Sequence, residues 1–225
     1  MTYEQVKEDE AVRVYIDQAD ASLKALGFTE HSFQHVTRVA QTAGWILETL
    51  GYPDRTVELV KIAGYLHDIG NVVNRVDHSQ SGAVMAFRIL DRMNFPPEEI
   101  AAIVTAIGNH DEGTGQPVSA FAAALILADK SDVRRSRVRD KATVALDIHD
   151  RVNYSVTDCH LEFDEQHTSI RLILTVDTEL GSVMEYLEIF MKRMLLCQKA
   201  AQALGLTFHL VTVSYTHLTL PTKRI

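Results

Sequence analysis

His67 and Asp68 stand side by side at the end of an apolar run, Leu59-Val60-Lys61-Ile62-Ala63-Gly64-Tyr65-Leu66. His35 opens the segment His35-Val36-Thr37-Arg38-Val39-Ala40, and Asp129 ends Ala123-Ala124-Leu125-Ile126-Leu127-Ala128, so each also lies in apolar surroundings. An imidazole and a carboxylate are costly to bury unless something compensates them, and a divalent cation compensates both at once. Two imidazoles and two carboxylates form a mixed nitrogen and oxygen ligand set suited to Fe, Mn, Co, Zn or Mg, with weak discrimination among them. Four protein ligands leave an octahedral ion two open positions, for water and for a substrate oxygen, which is a hydrolytic arrangement.

Such a site requires separate segments of chain to converge. From Glu4 to about Arg139 apolar residues recur at helical spacing, broken at Gly27, Gly51-Tyr52-Pro53, Gly70-Asn71, Phe95-Pro96-Pro97 and Gly113-Thr114-Gly115. The spacing predicts helices over Ser32–Leu50, Asp54–Asp68, Ser79–Met93, Pro97–Asn109 and Ser119–Ser131, several with Ser, Asp or Pro where a helix should begin. The pattern changes after about Asp150. Leu161-Glu162-Phe163 and Ser169 to Val176 favour strands joined by a turn at Asp164-Glu165-Gln166, Ser182 to Leu204 is helical again, and Leu206 to Val211 reads as a last strand. The expected fold is mainly α: a helical bundle over residues 1–150 with a small C-terminal α+β unit, β-β-α-β, over 151–212 and a boundary near Arg151. Residues 213–225 continue neither pattern and resemble a translated sequencing-adaptor tail, so His217 is given no role.

The order His35, His67-Asp68, Asp129 on a helical bundle resembles the HD-domain superfamily of metal-dependent phosphohydrolases, over roughly Thr29 to Arg139. The segments that carry the resemblance are Gly64-Tyr65-Leu66-His67-Asp68-Ile69-Gly70, His35 to Ala40, and Leu127-Ala128-Asp129-Lys130. It implies an HD-type bundle in which His35, His67, Asp68 and Asp129 ligate a first metal. His78, in Asp77-His78-Ser79, and His110, in Gly108-Asn109-His110-Asp111-Glu112, look like the auxiliary positions that hold a second metal or contact phosphate, with Asp68 bridging two ions. The sequence permits one ion or two.

Two positions depart from that pattern. Asn71 follows His67-Asp68-Ile69-Gly70 where many relatives have lysine, which removes a phosphate-binding or acidic role there. Asp111 follows His110 where some binuclear relatives have a second histidine, although a carboxylate is itself an oxygen ligand. Asp111 or Glu112 is also placed to act as general base or acid, so that Asp68, His110 and Asp111 form the expected catalytic set.

Arg134, Arg135, Arg137 and Arg139 crowd the segment beyond Asp129, and a guanidinium fork matches phosphate oxygens. Arg134, Arg135 and Arg137 are the expected substrate-binding residues, with Asn74 and Arg75 weaker candidates. The competing reading is a solvated ion-pair network with Asp140, Asp147 and Asp150. Trp45, Met184, Met191 and Met194 read as packing residues, and His149, His160, His167 and His209 as structural ones.

Of 225 residues 46% are hydrophobic and 23% charged, the make-up of an ordinary globular protein with a sizeable core. The 22 Lys and Arg against 30 Asp and Glu give a net charge of −8, which argues against wrapping long nucleic acid but not against a small phosphorylated ligand. Only Cys159 and Cys197 are present, so a disulfide framework is not expected and a reducing cytoplasm is. Neither a membrane span nor a signal peptide is expected. The sequence therefore predicts a cytoplasmic metal-dependent phosphohydrolase with one or two divalent ions, acting on a phosphomonoester or phosphodiester. The resemblance makes nucleotides or dinucleotides the expected substrates. A non-catalytic metal- or nucleotide-binding regulator is the alternative, with the C-terminal unit sensing a ligand or forming a homodimer; a di-iron oxygenase is a minor third reading.

Overall fold

Ser32, Asp9 and Ser119 each place a side-chain oxygen on a free backbone N–H at a helix start, and the helices they cap begin there in the computed structural model. The structure describes residues 1–215 apart from Lys141, Thr143, Ala145 and Leu146. The first seven helices are α1 (Tyr3–Glu8), α2 (Glu10–Ala25), α3 (Phe33–Thr49), α4 (Asp54–Leu66), α5 (His78–Arg92), α6 (Pro97–Gly108) and α7 (Ala120–Lys130). Helices α3 to α7 match the sequence expectation to within a residue or two, and α1 and α2 fall in the stretch expected to be helical without stated bounds. The difference that matters is at α5, which starts at His78 because Asp77 adopts the left-handed conformation (φ 56°) and turns the chain sharply into it.

Helix α7 is apolar all round, with Ala122 to Ala128 buried, and so takes the centre of the bundle. It packs on α3, α4 and α6. Helix α3 buries Val36, Val39, Ala40, Ala43 and Leu47 on one stripe. Gly64 sets how closely α4 approaches that stripe: a Cβ there would lie 2.7 Å from the Ala40 Cα, so only glycine allows this backbone contact.

The C-terminal elements are α8 (Ile148–Ser155), β1 (Val156–Phe163), β2 (Ser169–Asp177), α9 (Val183–Ala203) and β3 (Thr207–Tyr215). Strands β1 and β2 form an antiparallel hairpin, and β3 pairs parallel to β2 after the crossover through α9. Ile170, Leu172, Leu174 and Val176 alternate into the core from β2, and α9 packs on both the sheet and α7. The expected helical bundle with a small β-β-α-β unit is thus the observed fold. Arg151, the expected boundary, falls inside α8, which is N-capped by Asp147 and runs directly into β1. Val213, Ser214 and Tyr215 continue β3, pairing with Thr175, Val176 and Asp177 along the long β2. His217 and the rest of 216–225 lie outside the described residues. Among the described residues, no helix is long and apolar enough to cross a membrane.

Candidate metal centre

Three helices deliver the four central side chains. His35 comes from the first turn of α3, His67 from the residue closing α4, Asp68 from the turn after it, and Asp129 from the last turn of α7. Both histidines are fully buried, and the Nε2 atom of each lacks a hydrogen-bond partner among the described residues. A buried polar atom left so is costly and calls for an explanation. His35 Nε2 lies 3.5 Å from Asp68 Oδ2 and 3.4 Å from Asp129 Oδ1; His67 Nε2 lies 3.3 and 3.7 Å from the same two atoms. These separations are the spacing of donors around one shared cation with bonds of about 2 Å. The residues present fit a metal ion.

The other ring nitrogens fix which lone pairs are offered. His35 Nδ1 is 2.7 Å from Asp132 Oδ2, His67 Nδ1 2.7 Å from the Gly64 carbonyl, His78 Nδ1 3.1 Å from the Arg75 carbonyl, and His110 Nδ1 2.6 Å from the Ile107 carbonyl. A carbonyl or carboxylate only accepts, so each Nδ1 carries the proton and each Nε2 keeps its lone pair for a ligand role.

Asp68 divides its oxygens. Oδ2 faces His35 and His67, while Oδ1 lies 3.4 Å from His78 Nε2. His78 Nε2 is in turn 3.2 Å from His110 Nε2, and Asp111 Oδ1 lies 3.9 Å from His78 at the more open rim. Ligand atoms of His35, His67 and Asp129, and separately of His67, Asp68 and His110, lie within 4.8 Å of one another. Asn71, which the sequence marked as a lost lysine, donates from Nδ2 to Asp68 Oδ1 at 3.0 Å and so orients the carboxylate. Gly70 brings His78 in: a Cβ there would meet the His78 carbonyl at 2.0 Å and the Gly82 nitrogen at 2.4 Å.

Burial alone would lower the His67 imidazole, but the Asp68 and Asp129 carboxylates draw it up to about 10. His35 is likewise raised, with burial and Arg137 outweighed by Asp129, Asp132 and Asp68. Asp68 and Asp129 are held well below the usual carboxylate range, against burial, chiefly by His67 and by Lys130 respectively. The centre thus demands positive charge, which a divalent ion supplies without protonating the ligands. Burial pushes His78 and His110 down, keeping both neutral.

A cavity of about 380 Å³ adjoins the centre and includes Asp68, His78, His110 and Asp129 in its lining. The arginine cluster is corrected here. Arg134 pairs with Asp132 and Glu30, Arg135 with Asp177 and the Tyr154 carbonyl, and Arg139 with Asp20; none of the three lines the cavity. The carboxylates of Glu30, Asp132, Asp177 and Asp20 claim these forks. Arg137 does reach the cavity, buried and donating to the Glu30 and Asp132 carbonyls.

Three lining residues escaped sequence reasoning. His31 stacks edge-on to His35 at 5.4 Å between ring centres, and its signal was the His-x-x-x-His spacing across a helix start. Lys130 Nζ sits 2.6 Å from Asp129 Oδ2 and 3.6 Å from Glu112 Oε1, and its signal was adjacency to a ligand. Arg193 arrives from α9 and donates from Nε to Glu112 Oε1 at 2.6 Å; nothing in local sequence marks it.

A family model described as HD domain matches residues 32–155, more than half of the chain. An uncharacterized protein of Methanocaldococcus jannaschii, MJ1020, is 25% identical over 211 residues, covering 83% of this chain and 81% of that one. The crystal structure of a predicted HD superfamily hydrolase from an uncultured Thermotogales bacterium is similar at 24% identity and a TM-score of 0.42, over 58% of this chain and 73% of the other. The span of the family match takes in His35, His67, Asp68, His78, His110 and Asp129, and the chain belongs to the HD domain family.

Proposed function

We propose that this chain is a cytoplasmic metal-dependent phosphohydrolase acting on a small phosphomonoester or phosphodiester of the nucleotide class. The observation that carries the reading is the division of Asp68, one oxygen toward His35 and His67 and the other toward His78, beside two histidine nitrogens with no hydrogen-bond partner among the described residues. One or two divalent ions held there would polarise a phosphate oxygen and lower the pKa of water. The metal set is His35, His67, Asp68 and Asp129, extended by His78 and His110 for a second ion.

The protein's own groups do the rest. Asn71 and Asp132 hold Asp68 and His35 in their ligating orientations. Glu112, with its carboxyl held low by Lys130 and Arg193 against the effect of burial, stays ionised and is a poor acid. Asp111 Oδ1 lies 3.9 Å from His78 Nε2, outside the cavity lining, and is the carboxylate proposed to take or return a proton. Lys130 and Arg137 bring positive charge to the cavity wall, and about 380 Å³ suits a small ligand.

Elemental analysis of protein purified without oxygen, wild type against Asp68→Ala, tests the metal half of the proposal. Close to two ions in the wild type and loss in the variant support bridging; close to one supports the four-ligand site alone. Equal metal in both proteins would overturn the assignment. Release of phosphate from nucleotides by the loaded wild type tests the chemistry, and tight nucleotide binding without turnover under any first-row metal would favour a regulatory role instead.

A further inference from the structure

Arg193 sits on the face of α9 that meets the metal-binding bundle, and its guanidinium is fixed on two sides. Its carbon centre lies 4.2 Å from the middle of the Phe190 ring, one turn earlier on the same helix, and Nε donates to Glu112 Oε1 at 2.6 Å. Glu112 is two residues beyond His110, so the bond ties α9 to the segment that carries a ligand histidine. The two terminal nitrogens have no protein acceptor among the described residues and are not sealed from the cavity, whose lining Arg193 shares with Asp68, His110 and Asp129. Arg137, by contrast, gives Nε and Nη1 to the carbonyls of Glu30 and Asp132.

The local charge points the same way. Lys130 lies between Asp129 at 2.6 Å and Glu112 at 3.6 Å, and Glu112 also holds Arg193. Two cations thus face two carboxylates. Once Asp129 shares its charge with a metal ion, Glu112 is the carboxylate in contact with both Lys130 and Arg193, and this trio carries net positive charge beside the ligand set. A planar fork with one edge held and the other open, stacked on an aromatic ring, matches two oxygens of a phosphoryl group.

We infer that Arg193 is a phosphate-binding residue of the cavity, donating from its terminal nitrogens to non-bridging phosphoryl oxygens, with Glu112 the positioning residue that aims it. The C-terminal unit is then part of the substrate site rather than an appendage to it. This inference rests on the phosphohydrolase reading for the identity of the anion.

The test is calorimetric titration of inorganic phosphate into wild type, Arg193→Ala and Arg193→Lys, each metal-loaded and each after chelation, with metal content measured alongside. The expected result is phosphate affinity at least about tenfold weaker in Arg193→Ala in the metal-loaded form, the loss of one charge-assisted bond or more, with metal content unchanged. Arg193→Lys should fall between, since it keeps the charge and loses the fork. If Arg193→Ala does not fold, Arg193→Lys decides alone through a several-fold loss. Wild-type phosphate affinity in either folded variant, or loaded wild type that binds no phosphate, would overturn the inference. The phosphohydrolase reading fails by a different sign, namely loaded wild type that binds phosphate in an Arg193-dependent way yet turns over no phosphate ester.

Discussion

Asp132 accepts the Nδ1 proton of His35 at 2.7 Å and is itself gripped by Arg38 at 3.2 Å and Arg134 at 2.8 Å. His35, Arg137 and Arg134 hold its carboxyl far below the usual range although burial pushes it the other way. A carboxylate behind a ligand histidine fixes the tautomer and raises the basicity of the ligating nitrogen. Asp132→Ala should therefore weaken metal affinity about 10- to 100-fold while every ligand remains in place. Competition against a chromophoric chelator would measure this, and unchanged affinity would refute a role for Asp132 behind the metal.

Chelation should lower the melting temperature, because it returns His35 and His67 to buried Nε2 atoms without partners. A ligand at about 100 times its dissociation constant stabilises the native state by about 2.7 kcal/mol, several degrees in a domain of this size. His35→Ala should abolish the response to added metal. A melting curve indifferent to chelator in the wild type would show that these residues hold no ion.

Gly70→Ala should separate the two halves of the centre. The new Cβ would collide with backbone of α5 at the His78 carbonyl, 2.0 Å away, so the start of that helix must move. Strain of this kind costs about 1–3 kcal/mol. Because His78 moves and His35, His67 and Asp129 do not, metal content should fall toward one ion per chain, with a lower melting temperature.

Asp164 makes the β1–β2 turn sensitive to acid. Its carboxylate accepts from Thr168 Oγ1 at 2.6 Å and from the Thr168 and Ser169 backbone N–H groups at 2.7 and 2.8 Å, which lower it from 3.8 to about 2. A carboxyl lowered on folding stabilises the native state above its unfolded value, and that stabilisation is lost as pH falls from about 4 toward 2. Asp164→Ala should be less stable than wild type at pH 7, with the gap closing over that window in pH-dependent thermal melts. A gap that stays constant down to pH 2 would rule this out.

The helical half and the convergence of His35, His67, Asp68 and Asp129 were legible because burial of His and Asp in periodic apolar segments leaves few alternatives. At Asn71 the resemblance registers only the lysine it lacks, whereas the amide reaches back to orient the Asp68 carboxylate. The basic run at Arg134, Arg135 and Arg137 was ambiguous because sequence shows a cluster of charge but not which acids fold against it; Glu30 and Asp177 come from far along the chain. Arg193 likewise lies 81 residues from its partner Glu112. No periodicity or local motif encodes such a contact.

The crossover from β2 through α9 to β3 has a consequence for the order of assembly. The ligand residues are complete by Asp129, and Asp132 follows three residues later, whereas Phe190 and Arg193 reach the cavity only with α9. Contacts of such long sequence separation are slow to form and come late in synthesis. A nascent or partly unfolded chain would therefore expose a cation-hungry centre to solvent before its last wall arrives with the packing of α9 on α7.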